Sequence, residues 1–155
     1  MKYYTRIETP YGNIGLAEDG KGISDLYFEK NGPLQNAEEK ETPLLKKAKQ
    51  QLQEYFAGER KTFDLPLSLQ GTDFQIRDWN ALCTIPYGET RTYGEIAKQI
   101  GNPKASRAVG MANHNNPISI IIPCHRVIGA NGALVGYGGG LDMKVFLLEL
   151  EAKHR

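Results

Sequence analysis

The spacing of apolar positions changes period along the chain. In residues 2–29 the segments KYYTRIETP, NIGLAED and ISDLYFE place Tyr, Ile, Leu and Phe in short runs. Turn residues separate them at Tyr11-Gly12-Asn13 and at Asp19-Gly20-Lys21-Gly22. That pattern predicts an antiparallel meander. Residues 30–41 are polar, with Asn31-Gly32-Pro33 followed by Glu38, Glu39, Lys40 and Glu41, and read as an exposed connection. From Thr42 the period becomes helical. Thr42 is the expected N-cap and Pro43 the first helical residue. Leu44, Leu45, Ala48, Leu52, Tyr55 and Phe56 share one face, and Gly58 is the expected stop. Residues 59–71 contain Pro66 and break the pattern, which sets the expected boundary between lobes 1–71 and 72–155.

The second lobe reads as mostly helical. Thr72 with Gln75, and Thr92 with Glu95, have capping-box spacing. Phe74, Trp79, Leu82 and Cys83 follow the first box on an apolar stripe, and YGEIAKQI follows the second. Gly101 ends that helix. Asn102 is the expected cap of the next, with Pro103 first and Lys104 to about Asn113 as its body. Ile118–Ile122 is a β-branched run expected as a short buried strand. Gly129–Gly140 is a glycine-rich loop, and from Asp142 a final helix is expected to turn Val145, Phe146, Leu148 and Leu150 inward. The fold class is therefore α+β. A small antiparallel sheet with a helix precedes a helical lobe holding a helix-turn-helix and a short strand that bears a cysteine.

Composition narrows the class. The chain has 155 residues, 40% hydrophobic and 24% charged, which suits a globular protein rather than a disordered one. No apolar run approaches a membrane span, and MKYYTRIETP lacks the apolar region of a signal peptide. Two cysteines, Cys83 and Cys124, argue against a disulfide framework and for a reducing compartment. Ligands with zinc spacing are absent. The net charge of +1 names no partner. Its distribution is more informative: no acid lies between Glu95 and Asp142, while Lys98, Lys104, Arg107 and Arg126 do. A basic surface of that kind suits a polyanion.

Two features carry candidate chemistry. Residues 92–113 have the spacing of a helix-turn-helix, whose second helix would bring Lys104, Ser106 and Arg107 to an anion-binding N-terminus; a plain helical hairpin gives the same pattern. Cys124 follows Pro123 and precedes His125, so it is either an imidazole-activated nucleophile or a small core hydrophobe. Cys83 reads as core. His114 reads as a helix C-cap or a phosphate contact, and His154 as an uninvolved tail residue. Asn116, before Pro117, can fix a turn through its amide. Tyr137 among Gly136, Gly138, Gly139 and Gly140 can wall a site for a planar ligand. Glu151 alone would pass for a solvated charge.

In order, the chain carries TYGEIA, GNPKASRAVG, NNP, IIPCHRV, GYGGGL and LLELE. This series resembles the O6-alkylguanine-DNA alkyltransferases, closely over residues 72–152 and more loosely over 1–70. The resemblance implies an N-terminal lobe of ribonuclease-H-like type. It implies DNA repair by direct reversal: the alkyl group of O6-alkylguanine, and less efficiently of O4-alkylthymine, passes irreversibly to Cys124, once per molecule and without a cofactor. It implies a relay of Cys124, His125 and Glu151, with Asn116 in the same network and Tyr93 donating a proton to the base. Val127, Tyr137 and Gly138 would wall the pocket; several relatives have Ser where Gly138 stands. Arg107 would fill the stack vacated by a flipped base. Ala105, Ala108, Met111 and Ala112 would meet the minor groove of double-stranded DNA with little sequence preference, and Asn102 would approach a phosphate at the helix start. A cytoplasmic monomer is expected, with no membrane partner and no zinc in the first lobe. The presence of Cys124 argues against a lesion-marking binder that lacks the nucleophile. A thiol hydrolase or a sequence-specific regulator would account for one motif each and leave the rest unused.

Overall fold

A computed structural model describes all 155 residues as two compact units, Met1–Leu69 and Gln70–Arg155. In the first unit β1 (Lys2–Thr9), β2 (Gly12–Glu18) and β3 (Ile23–Phe28) form the antiparallel meander. The segment read as an exposed connection contains a 3-10 turn, Glu29–Asn31, and a fourth strand, β4 (Ala37–Glu39). β4 pairs parallel to β1, so the sheet order is β3-β2-β1-β4. Its sequence, Ala-Glu-Glu, shows no alternation because an exposed edge strand has no face to bury. The central strand β2 is buried from Ile14 to Glu18. The Tyr27 ring lies over Gly15, where a Cβ would come within 2.1 Å of it and displace it.

Helix α1 (Pro43–Phe56) starts where the cap rule places it. Thr42 Oγ1 accepts from Leu45 N at 3.2 Å, and Leu45, Ala48, Leu52 and Tyr55 are fully buried beside β2. Leu44 and Phe56, expected on the same face, are half-exposed.

In the second unit both capping boxes are present. They open α2 (Asp73–Leu82) at Thr72/Gln75 and α3 (Tyr93–Gln99) at Thr92/Glu95. Trp79 of α2 is 2% exposed, and its indole N–H donates to Ala112 O at 2.9 Å. That bond ties α2 to α4 (Ser106–His114). Cys83 is not core: the helix ends at Leu82, and Cys83 is its exposed C-cap. Gly101, at φ +85, turns the chain out of α3. Asn102 does not cap α4. Residues 102–105 form a turn closed by Ala105 N to Asn102 O at 3.0 Å, with Pro103 in its second position, and Ala105 is the cap.

The apolar run Ile118–Ile122 is buried, but it is a tight turn rather than a strand. Asn116 closes it. The side-chain amide donates to Ile122 O at 2.9 Å and accepts from Ile118 N at 2.9 Å, taking backbone groups that a neighbouring strand would have taken. Ile120 sits at φ +73, a conformation β-branched residues avoid, held by this enclosure. Cys124 accordingly lies in a 3-10 turn, Cys124–Arg126, not on a strand. That turn leads into β6 (Val127–Ile128), which pairs parallel to β5 (Arg91–Thr92).

The final helix, α5 (Leu141–His154), buries Met143, Lys144, Leu147, Leu150 and Glu151. Val145, Phe146 and Leu148, expected inward, are half-exposed. The true inner stripe contains two charged residues, so an apolar pattern misplaced the face. No helix is long and apolar enough to cross a membrane.

The Thr72 box lies at the start of α2 and bonds only Gln75. Thr72→Ala should lower stability by about 1 kcal/mol, read as a lower urea midpoint with an unchanged slope.

Candidate active site

Pro123 ends the buried turn with ψ 62, and this bend sets Cys124 against a cavity of about 380 Å³. Four segments supply the rest of the wall. Tyr93 comes from α3; Gly110, Asn113 and His114 come from α4. Gly136, Tyr137 and Gly138 come from the glycine-rich loop, and Ser119 from the turn. Gly110 faces the Tyr93 ring, which would lie in ordinary van der Waals contact, 3.8 Å, with an added Cβ. Val127 is not part of this wall. Its side chain is fully buried, and its carbonyl serves Lys144.

Cys124 is 8% exposed, and burial pushes its thiol up to about 11. A hydrogen bond from Asn116 and the charge of Lys144 oppose that rise without cancelling it. The resting sulfur is therefore a thiol that needs a base to become a nucleophile.

His125 supplies a base with a defined tautomer. It is fully buried, and its Nε2 lies 2.7 Å from Glu151 Oε2. Burial lowers its pKa below 6.5, with Glu151 opposing, so the ring is neutral near pH 7. Glu151 is held well below the usual carboxylate range by bonds from His125 and Arg126 that outweigh its burial. An ionised carboxylate accepts only, so the ring proton sits on Nε2 and Nδ1 carries the lone pair. Nδ1 is buried with no protein hydrogen-bond partner.

Glu151 is the centre of this cluster. Besides His125 it accepts from Arg126 Nε at 2.8 Å, from Arg126 Nη2 at 3.0 Å and from Gly88 N at 3.2 Å. Arg126 also donates to Ile85 O at 2.7 Å and lies over the Tyr87 ring. It is therefore an interior residue, not part of the basic surface the sequence suggested. Lys144 is the other charged residue inside. At 1% exposure its ammonium donates to Val127 O at 2.8 Å and Val135 O at 2.9 Å, joining β6 to the glycine-rich loop. Sequence reasoning assigned no role to Lys144 and placed Arg126 on the surface. The available signal was spacing: Lys144 and Glu151 fall in helical register with Met143, Leu147 and Leu150.

Helix α4 has two distinct faces. Arg107, Ala108 and Met111 are exposed, Met111 by 61%, and Lys104 and Asn102 are exposed in the turn before it. Ala105 is half-exposed. Ala112 is not on that face. It is 2% exposed because its position turns toward Trp79, which bonds its carbonyl.

The shifts have a signed consequence. Below pH 6.5 an unfolded His125 binds a proton that the buried ring refuses. Its stabilising contribution is thus complete above 6.5 and lost as pH falls. Asp78, buried and raised to about 7, acts oppositely between 3.8 and 7, since there the folded state binds the extra proton. The comparison of variants isolates His125. Between about pH 7.5 and 5.5 the parent protein should lose more stability, or gain less, than His125→Gln, measured by urea midpoints at both values.

Two family models match the chain: 6-O-methylguanine DNA methyltransferase, ribonuclease-like domain, over residues 2–69, and the DNA binding domain of the same family over residues 73–153. A methylated-DNA--protein-cysteine methyltransferase of Methanosarcina acetivorans is 57% identical over 152 residues, covering 96% of this chain and 97% of the relative. The crystal structure of Mycobacterium tuberculosis O6-methylguanine methyltransferase superposes with a TM-score of 0.93 at 50% identity, covering 100% of this chain and 95% of that one. That of Mycobacterium tuberculosis OGT in complex with DNA gives 0.91 at 52%, covering 98% and 94%. By these matches over both of its units, the chain belongs to the 6-O-methylguanine DNA methyltransferase family.

Proposed function

We propose that this protein repairs DNA by moving the alkyl group of O6-alkylguanine, and less efficiently of O4-alkylthymine, onto Cys124. The observation that carries the reading is the cavity itself. It exposes a single thiol on its wall, with a neutral imidazole next in the chain and a buried carboxylate behind that imidazole.

The chemistry follows from the geometry. His125 Nδ1 takes the thiol proton through an intervening water, and Glu151 stabilises the imidazolium that forms. Asn116 and Lys144 favour the thiolate produced. The sulfur attacks the alkyl carbon in line; the S–C bond forms as the bond from carbon to O6 breaks. Negative charge then grows on the leaving guanine. Tyr93, whose hydroxyl burial keeps protonated, donates to a ring nitrogen of that base. Tyr137 and the backbone at Gly138 wall the base. The product is a thioether, stable to thiol reductants, so the protein acts once and needs no cofactor. The high resting pKa of Cys124 keeps the sulfur from reacting before a substrate is seated.

The target atom lies inside the duplex, so the nucleotide must leave the stack. The exposed face of α4 suits that task. Arg107 is free to enter the duplex, where a planar guanidinium can stack and bond the orphaned base. Ala105, Ala108 and Met111 allow close approach along the minor groove, and Asn102 and Lys104 sit where phosphates would pass. Few groups on this face can read base edges, which fits repair in any sequence. The boundary at 1–71 and 72–155 then divides a ribonuclease-H-like lobe from the lobe that binds DNA and accepts the alkyl group. The protein is proposed to work as a cytoplasmic monomer.

Mixing the protein with a duplex that carries one O6-methylguanine should add the mass of one methylene to the intact chain, and Cys124→Ala should abolish the gain. Binding without any gain would replace alkyl transfer by lesion marking. Arg107→Ala should slow repair in the duplex at least tenfold more than reaction with free O6-alkylguanine base. Equal losses on the two substrates would remove Arg107 from base extrusion.

A further inference from the structure

One ionisable group beside the cavity takes no part in the mechanism above. Asp78, on α2, is fully buried among apolar residues of the second unit, next to Trp79. A carboxyl group in such a place demands a partner. Asn113 of α4 provides one. With its amide nitrogen turned inward, Asn113 donates to Asp78 Oδ2 at 2.6 Å and to Val109 O at 3.2 Å. Both amide hydrogens are then committed beneath the cavity, while Asn113 itself forms part of the cavity wall. The carboxyl also lies within electrostatic reach of the Cys124 sulfur, where its negative charge opposes the thiolate.

We propose that Asp78 and Asn113 form a buried positioning pair. Asp78 holds the Asn113 amide in the wall of the alkyl-acceptor cavity, and its ionisation modulates how readily Cys124 becomes a thiolate. The proposal rests on Cys124 being the acceptor.

The surroundings make Asp78 the group that can do this. The elements packed against α2 are α3, α4 and the 3-10 turn of Cys124. Their ionisable residues are Tyr93, Glu95 and Lys98; Arg107 and His114; and Cys124, His125 and Arg126. Burial raises Asp78 to about 7, and the Asn113 amide, which donates to the carboxylate, opposes that rise. Tyr93 titrates above 10, outside the range in which Asp78 changes charge, and any step due to His125, which titrates below 6.5, survives in an Asp78 variant. Lys144 and Glu151 on α5 and Tyr137 of the loop complete the charged and ionisable groups around the sulfur; Lys144 titrates below 10.5, and Tyr137 well above 10. Any step due to Lys144 survives in an Asp78 variant.

The test uses the full chain carrying Cys83→Ser, so that Cys124 alone reports. Iodoacetamide is the thiol probe, and the alkylation rate is followed by intact mass from about pH 6 to 9. The logarithm of the parent rate should climb with pH, climb less steeply over the range in which Asp78 ionises, and then recover its slope. Asp78→Asn keeps an acceptor for Asn113 and removes the charge. It should erase the flattening and make the reaction roughly threefold faster at pH 8. Asn113→Ala takes a donor from the carboxylate, so the flattening should move to higher pH. An Asp78→Asn profile that overlays the parent overturns the proposal. So does an Asn113→Ala profile with the flattening unmoved, which decides the matter if Asp78→Asn does not fold. Methyl transfer from the methylated duplex is measured alongside and should follow the same shifts. Shifts seen with iodoacetamide, but no methyl transfer by any form including the parent, leave the pair standing and defeat the alkyl-transfer reading instead.

Discussion

The second unit is organised around a carboxylate that has been taken out of water. Glu151 is 1% exposed and ionised, a state that would be prohibitive without compensation. Compensation comes from Arg126, which reaches both carboxylate oxygens, from His125 and from the backbone N–H of Gly88. These partners belong to two separate parts of the chain, the turn after α2 and the 3-10 turn, while Glu151 itself lies on α5. A charge on one element that must be satisfied from the other two holds all three in one arrangement. Removing one partner of such a cluster typically costs about 3–5 kcal/mol, because the others are left buried and unpaired. The same constraint sets the imidazole tautomer, so the group that secures this part of the fold also prepares the base.

The thiol is balanced between opposing influences. Burial and the carboxyl of Asp78 favour the neutral form, while Asn116 and Lys144 favour the thiolate. The balance leaves Cys124 protonated at rest. On the proposed mechanism its reactivity depends on proton transfer to His125 rather than on a permanently ionised sulfur. Lys144 contributes twice, since the ammonium that acts on the sulfur also joins β6 to the glycine-rich loop carrying Tyr137.

Helix α4 links the outside to this interior. Its outer face is Arg107, Ala108 and Met111, and its inner face includes Val109 and Ala112 against Trp79. Its last turn brings Asn113 and His114 to the cavity. A single helix of nine residues thus carries both the proposed DNA face and part of the wall around the thiol.

By itself the sequence determined what depends on near neighbours. Strands β1 to β3, the caps at Thr42, Thr72 and Thr92, and the turns at Gly58 and Gly101 are legible because their causes lie within a few residues. The ordered motifs from TYGEIA to LLELE likewise named the family and pointed to Cys124, His125 and Glu151. Tertiary structure decided the rest. It made Ile118–Ile122 a turn, in which Asn116 takes the backbone bonds of Ile118 and Ile122. It made Cys83 exposed by ending α2 one residue earlier, and it moved Ala112 from the expected DNA face to the core. It brought Arg126, Lys144 and Asp78 inside, where an apolar pattern cannot place them. Burial of a charge depends on partners from distant segments, and only the folded chain brings those partners together.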